Sequence, residues 1–213
     1  DGLKSNPNDK RLRLTYARLL VEQQRLEEAR AEFTTLLQQN PEDDDLRLSL
    51  ALISMEAQAW NEAQAYLRDL IERDSHVDIA HYNLGLIHEE QNDPHGALIE
   101  YSLIGPGNEY LAAQARQTAI RLAEQHVSEA CQHLAEARAD QPDYAVQLYM
   151  LEIESLAEHQ QTDLAWLAAQ QSLEQFPGDL NLLYTRAMLA EQRNDLGQME
   201  RDLRHVIKTD PDN

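Results

Sequence analysis

The chain reads as an all-α solenoid of about six helix-turn-helix repeats, and three observations lead there. Pro7 and Pro41 stand 34 residues apart, and Pro142, Pro177 and Pro211 fall on the same ruler, so that Pro7 to Pro211 spans 204 residues, or six periods. The 213 residues contain only 7 Gly and 7 Pro and few β-branched runs, a composition that favours helices. Small residues recur at one helical phase, at Ala17, Ala51, Gly85 and Ala187, where a second helix can approach closely. A fixed period of this length marks stacked units that bury their apolar faces against neighbours.

Taken in order, the expected repeats are 10–43, 44–77, 78–110, 111–144, 145–179 and 180–213, within a single array over 1–213. The first carries Ala17 and then Ala29 and Phe33 at i, i+4 spacing. Pro41 stops it, and Asp43, Asp44 and Asp45 favour the start of the next helix, where carboxylates meet the positive end of the dipole. The second has Leu50-Ala51, then Ala63 and Leu67, with Trp60 at the helix junction. The third is the clearest: Leu84-Gly85 sits mid-helix, Asn92-Asp93-Pro94 breaks the periodicity, and Ala97 with Tyr101 restarts it. Its second helix is expected to stop at Ile104, because Gly105-Pro106-Gly107 follows; that turn either opens a bend or pocket in the stack or is a tolerated surface loop.

The fourth repeat departs most, with Gln117, Thr118 and Arg121 at places that elsewhere hold apolar or small residues, while Ala130 and Leu134 keep the second helix in pattern. The fifth keeps Leu148 and Leu151, places Glu152 at the small-residue phase, and is one residue longer, which leaves its register open by one. The sixth returns to form with Leu183, Ala187, Ala190 and Leu203.

The elements His81, Leu84-Gly85 and His88, followed by Ala97 and Tyr101, resemble the signature of the tetratricopeptide repeat, with His in place of the large aromatics of its first helix. That resemblance covers essentially the whole chain. It implies a right-handed superhelix whose first helices line a concave face, where partner peptides commonly lie. Counting three places before and one after each small residue, the implied partner-binding stripe is Leu14 and Arg18, Leu48 and Leu52, Tyr82 and Leu86, Tyr149 and Ile153, Tyr184 and Met188, with Ala115 and Ala119 in the fourth repeat. Asn83 and Arg18 are its main polar members. Such a stripe is mostly Leu, Ile, Tyr and Met where a carboxylate clamp of that family uses Lys, Arg and Asn, and it suits an amphipathic helix or an extended apolar segment, each Tyr offering contact area and a hydroxyl. The competing reading is that these residues pack between neighbouring repeats.

Charge narrows the partner. With 38 acidic and 18 basic residues, a formal net charge of −20, the chain is a poor fit for a nucleic-acid backbone and a better one for basic or apolar protein surfaces. No Gly-rich phosphate loop, catalytic triad or paired-carboxylate cleft is present, so no catalytic residue and no cofactor is expected. Among the 8 His, His81, His88 and His95 recur every seven residues, which is not metal-ligand spacing, and interhelix packing is the expected role; no metal is expected. The lone Cys131 is read as a small buried residue on a packed helix. No apolar run is long enough to span a membrane.

The chain opens on Asp1-Gly2-Leu3 without Met and ends at Asp210-Pro211-Asp212-Asn213, where another repeat would begin, so it is expected to be a piece of a longer array. An alternative function follows: homo-oligomeric self-assembly through an open end at Leu203, Val206 and Ile207. The Gln-rich, acidic, Ala- and Leu-dense texture also resembles bacterial outer-membrane lipoproteins that recruit a periplasmic protease and its substrates. That resemblance implies an adaptor at the periplasmic face of the outer membrane, anchored by a lipidated Cys ahead of this chain.

Overall fold

In the computed structural model, residues 9–210 are described, so Pro7 and Pro211, the two ends of the proline ruler, lie outside them. Among the described residues the chain is all α-helical, with twelve α-helices and one short 3-10 turn at Pro142–Tyr144. The chain divides into two compact units, Asp1–Glu109 and Tyr110–Asn213, the division falling two residues after Gly105-Pro106-Gly107.

The N-terminal unit holds α1 (Lys10–Glu22), α2 (Leu26–Gln39), α3 (Asp44–Glu56), α4 (Trp60–Glu72), α5 (Val77–Glu90) and α6 (Pro94–Ser102). Odd-numbered helices are the first of each repeat and even-numbered ones the second. Asp9 and Asp43 cap α1 and α3, each accepting a backbone N–H three residues on, and Asp93 does the same for α6 ahead of Pro94. The second helix of the third repeat has 9 residues where those of the first two have 14 and 13, as the Gly-Pro-Gly turn requires. The core of the unit includes one apolar cluster around Ala17, Phe33 and Leu50 and another around Ala51, Leu67 and Leu84, with Ala97 and Tyr101 of α6 also buried.

The C-terminal unit holds α7 (Tyr110–Ala123), α8 (Val127–Asp140), α9 (Ala145–Glu158), α10 (Thr162–Gln175), α11 (Leu180–Gln192) and α12 (Leu196–Thr209). Its core runs from Tyr110, Leu134 and Leu148 into a larger cluster containing Tyr149, Ile153, Leu182 and Val206.

Every first helix ends in the same way. Gln24, Gln58, Asn92, Gln125, Gln160 and Asn194 adopt φ of 59°, 57°, 57°, 64°, 61° and 60°. The N–H of the following residue reaches back five residues, as from Arg25 to Leu20, Ala59 to Ser54 and Gln161 to Leu156. These are Schellman closures, usually made with Gly, here made with Gln or Asn in all six repeats.

The closures measure register. The turn residue stands seven places after Ala17, Ala51, Gly85, Thr118 and Ala187, and the same count back from Gln160 reaches Ile153. Ile153, not Glu152, therefore occupies the small-residue place of the fifth repeat, and it is 1% exposed. The extra residue lies within the first helix, and the sequence-based register of that repeat shifts by one.

Candidate functional site

Gly85 performs the role its position suggests: a Cβ there would stand 2.4 Å from a ring carbon of Tyr101, so only a hydrogen lets α6 lie this close to α5. Tyr101 is fully buried, donates its hydroxyl to Glu89 at 2.5 Å, and lies with its ring 5.6 Å from that of Tyr82. Tyr82 is thereby held half-buried at the surface of the first helix, next to half-buried Leu86. Asn83, expected as a polar member of the stripe, is buried instead and donates its amide to the Ile79 carbonyl at 2.7 Å, which removes it from the surface.

Further toward the N-terminus, α1 and α3 enclose a groove of about 400 Å³. Val21, Leu52, Ile53 and Phe33 form its apolar surface, and Arg18, Glu22, Ser49 and Glu56 its polar boundary. Leu52 is 41% exposed on this groove. Leu14 and Leu48, also expected on the stripe, are half-buried and pack against the two core clusters.

In the C-terminal unit the equivalent groove lies between α9 and α11, with a volume of about 370 Å³. Tyr184 and Met188 line it, and Tyr184 is 52% exposed. From α9 the lining comes from Met150, Glu154 and Ala157 above a floor of Ile153. Tyr149 is a correction: it is buried in the core, with the Arg138 guanidinium 4.0 Å from its ring centroid and Phe176 on another side. The one-residue register shift is the reason, since it turns Tyr149 inward and brings Met150 to the surface. Glu152, buried at the adjoining place, receives a 2.6 Å hydrogen bond from Arg138.

The residues expected at an open end behave differently from one another. Ile207 is 61% exposed, Leu203 is half-buried, and Val206 packs in the core, so these three do not form one apolar surface. The polar side of the same helix is tied down by Asp202, which accepts two hydrogen bonds from Arg186 and one from Gln198.

The histidines of the third repeat join helices and caps. Nδ1 of His81 is 2.7 Å from Glu100, and Nδ1 of His88 is 2.9 Å from the capping Asp93. Among the described residues no group of three His, Cys, Asp or Glu is arranged to hold a metal, and no helix is long and apolar enough to cross a membrane. Burial, followed by the charge of Glu152, pushes the Cys131 thiol up to about 11, the reverse of what an activated nucleophile needs.

One feature escaped the sequence reading. Glu22, Glu56 and Glu90 are the last residues of α1, α3 and α5, each 34 residues from the next, and all three are exposed. Glu158 ends α9 at the same distance from its turn. The 34-residue period, applied to charge as well as to proline, would have found them.

Comparison with known proteins agrees with the fold. The tetratricopeptide repeat family matches residues 1–53 and 21–86. A tetratricopeptide-repeat-containing protein of Pseudomonas aeruginosa is 61% identical over 125 residues, 59% of this chain, and the chain spans about a fifth (21%) of that relative's length. Among solved structures, a tetratricopeptide repeat protein from Parabacteroides merdae superimposes with a TM-score of 0.54 at 14% identity, covering 97% of this chain and 82% of its own. Pseudomonas aeruginosa PilF gives a TM-score of 0.54 at 12% identity, covering 96% and 93%.

Proposed function

We propose, from the match of residues 1–86 to the tetratricopeptide repeat family and the repeated helix pairs of the whole chain, that this chain is a non-enzymatic scaffold that holds partner proteins in the grooves between successive first helices. Proteins of this family generally mediate protein–protein interactions. The observation that carries the reading is the recurrence of one feature in both compact units: an apolar groove of 370 to 400 Å³ between consecutive first helices, each with a large apolar or aromatic side chain left half-exposed, Leu52 in one and Tyr184 in the other. Because the grooves are built on helices locked by Schellman closures, a partner segment would order itself without ordering the scaffold, and apolar contact would supply the affinity.

The most specific form of this reading is an envelope adaptor that brings a protease and its substrates together, and it rests on sequence texture alone. The general form is tested by quantitative capture from the source cell with the native chain, a Leu52→Asp variant and a Tyr184→Asp variant, each checked for unchanged helicity. Loss of the same partner from either variant supports groove binding. Retention by both, at native yield, refutes it and moves the working surface elsewhere on the chain.

A further inference from the structure

The carboxylates at the ends of the first helices are placed against local electrostatics. Glu22 and Glu56 end α1 and α3, whose last turns contain no basic residue, so each negative charge sits at the negative end of its own helix dipole. Elsewhere in the N-terminal unit several arginines are held in ion pairs. Arg13 pairs with Glu32, Arg30 with Glu62, Arg47 with Asp69 and Arg73 with Asp44. Among the described residues Glu22, Glu56 and Glu90 take part in no ion pair; Glu56 accepts a hydrogen bond at 3.0 Å from the Gln24 amide, which orients the carboxylate without neutralising it. An unfavourable placement repeated at the period of the fold contributes nothing to the helices that carry it.

Glu22 and Glu56 border the apolar groove that contains Leu52, Val21 and Phe33, where Arg18 is the one cation in the lining. A segment lying on that apolar floor would bring its polar edge against both carboxylates, and a third, Glu90, follows in the same register one repeat on. We infer that the groove of the N-terminal unit takes an amphipathic segment whose apolar face is bordered by Lys or Arg, with Glu22 and Glu56 pairing the basic edge. This rests on the proposed scaffold function and specifies its partner's chemistry. Charge complementarity selects that occupant: an acidic or anionic segment would meet two carboxylates, whereas a basic one would relieve two charges that the fold leaves unpaired.

The test uses the whole chain and two short fluorescent peptides of the same Leu pattern, one with Lys and one with Glu on the polar face, followed by anisotropy. The Leu/Lys peptide should bind and the Leu/Glu peptide should not. Glu22→Gln with Glu56→Gln should weaken the Leu/Lys peptide by about tenfold and reduce its salt dependence. A control with the same change in charge, Glu136→Gln with Glu174→Gln on second helices of the other unit, should leave binding within about twofold. Equal weakening by both pairs would reduce the effect to net charge and overturn the inference, as would failure of the Leu/Lys peptide to bind the native chain. If the cellular partner is lost from Leu52→Asp yet binds the Glu22→Gln, Glu56→Gln chain at native strength, the scaffold reading stands and this inference falls. If Leu52→Asp leaves that partner in place, groove binding at this unit itself fails.

Discussion

Gly85→Ala is the substitution that probes the packing beneath the first-helix surface most directly. The added methyl carbon would stand 2.4, 2.6 and 2.8 Å from three carbons of the Tyr101 ring, where a comfortable carbon–carbon contact is about 3.5–4.0 Å. The ring would have to retreat by about 1 Å. It has little room, being fully buried, held at its hydroxyl by Glu89 and flanked by Tyr82. Overpacking of this kind costs about 1–3 kcal/mol, against a gain of about 1 kcal/mol from replacing a mid-helix Gly by Ala. The expected net loss is about 1 kcal/mol. With a urea dependence of about 2 kcal/mol per molar, the midpoint of unfolding of the whole chain should fall by about 0.5 M. The ring's part is isolated by repeating the substitution on a Tyr101→Leu background, where the obstruction is gone and helix propensity alone remains. There Gly85→Ala should be neutral or stabilising. Stabilisation in the native background, or the same destabilisation in both backgrounds, would refute the role assigned to Tyr101.

Three further outcomes follow from named groups. Burial, with Arg121 nearby, depresses His133 to about 4, and its Nε2 has no hydrogen-bond partner among the described residues. Because the unfolded chain takes up this proton first, the contribution is whole above about pH 6.5 and is lost as pH falls toward the folded value, by about 2 kcal/mol after allowance for partial exposure. Urea midpoints across that range should slope for the native chain and flatten for His133→Gln; an unchanged slope would count against the assignment. Cys131, with its thiol raised to about 11, should react with a disulfide reagent at pH 8 about two orders of magnitude more slowly in the folded chain than in urea, and a difference below about tenfold would contradict it. Gln58, at φ 57°, should yield a chain more stable by about 0.5–1 kcal/mol when replaced by Gly, since the turn already demands the left-handed region; a lower midpoint would mean that the side chain contributes more than the backbone strain costs.

How far the site could be read from the residues differs between its two grooves. Leu52, Tyr184 and Met188 were legible because Ala51 and Ala187 mark the helix phase without ambiguity, and counting along a helix then places every side chain. Tyr149 was not. Around it, Leu148 to Ile153 offers apolar residues to more than one helical face, so a shift of one residue satisfies local periodicity equally well, and Glu152 at a buried place becomes acceptable only because Arg138 from another helix meets it. The four Gln residues that close first helices, Gln24, Gln58, Gln125 and Gln160, were also silent, since Gln carries none of the preference for positive φ that Gly, or to a lesser degree Asn, advertises.

What the sequence determined by itself is what repeats locally: helices of about three to four turns, their order, the 34-residue period, the shortened helix before Gly105-Pro106-Gly107, and an acidic surface. Each of these depends on interactions within a few residues of chain, or on composition. Tertiary structure alone decided the register of the fifth repeat, the withdrawal of Asn83, Tyr149 and Val206 into the core, the pairing of buried Glu152 and Asp202 with arginines, and the division into two compact units. Those outcomes depend on which side chain a second helix brings within van der Waals or hydrogen-bonding distance, and helical spacing constrains the face a residue occupies without specifying what will meet it there.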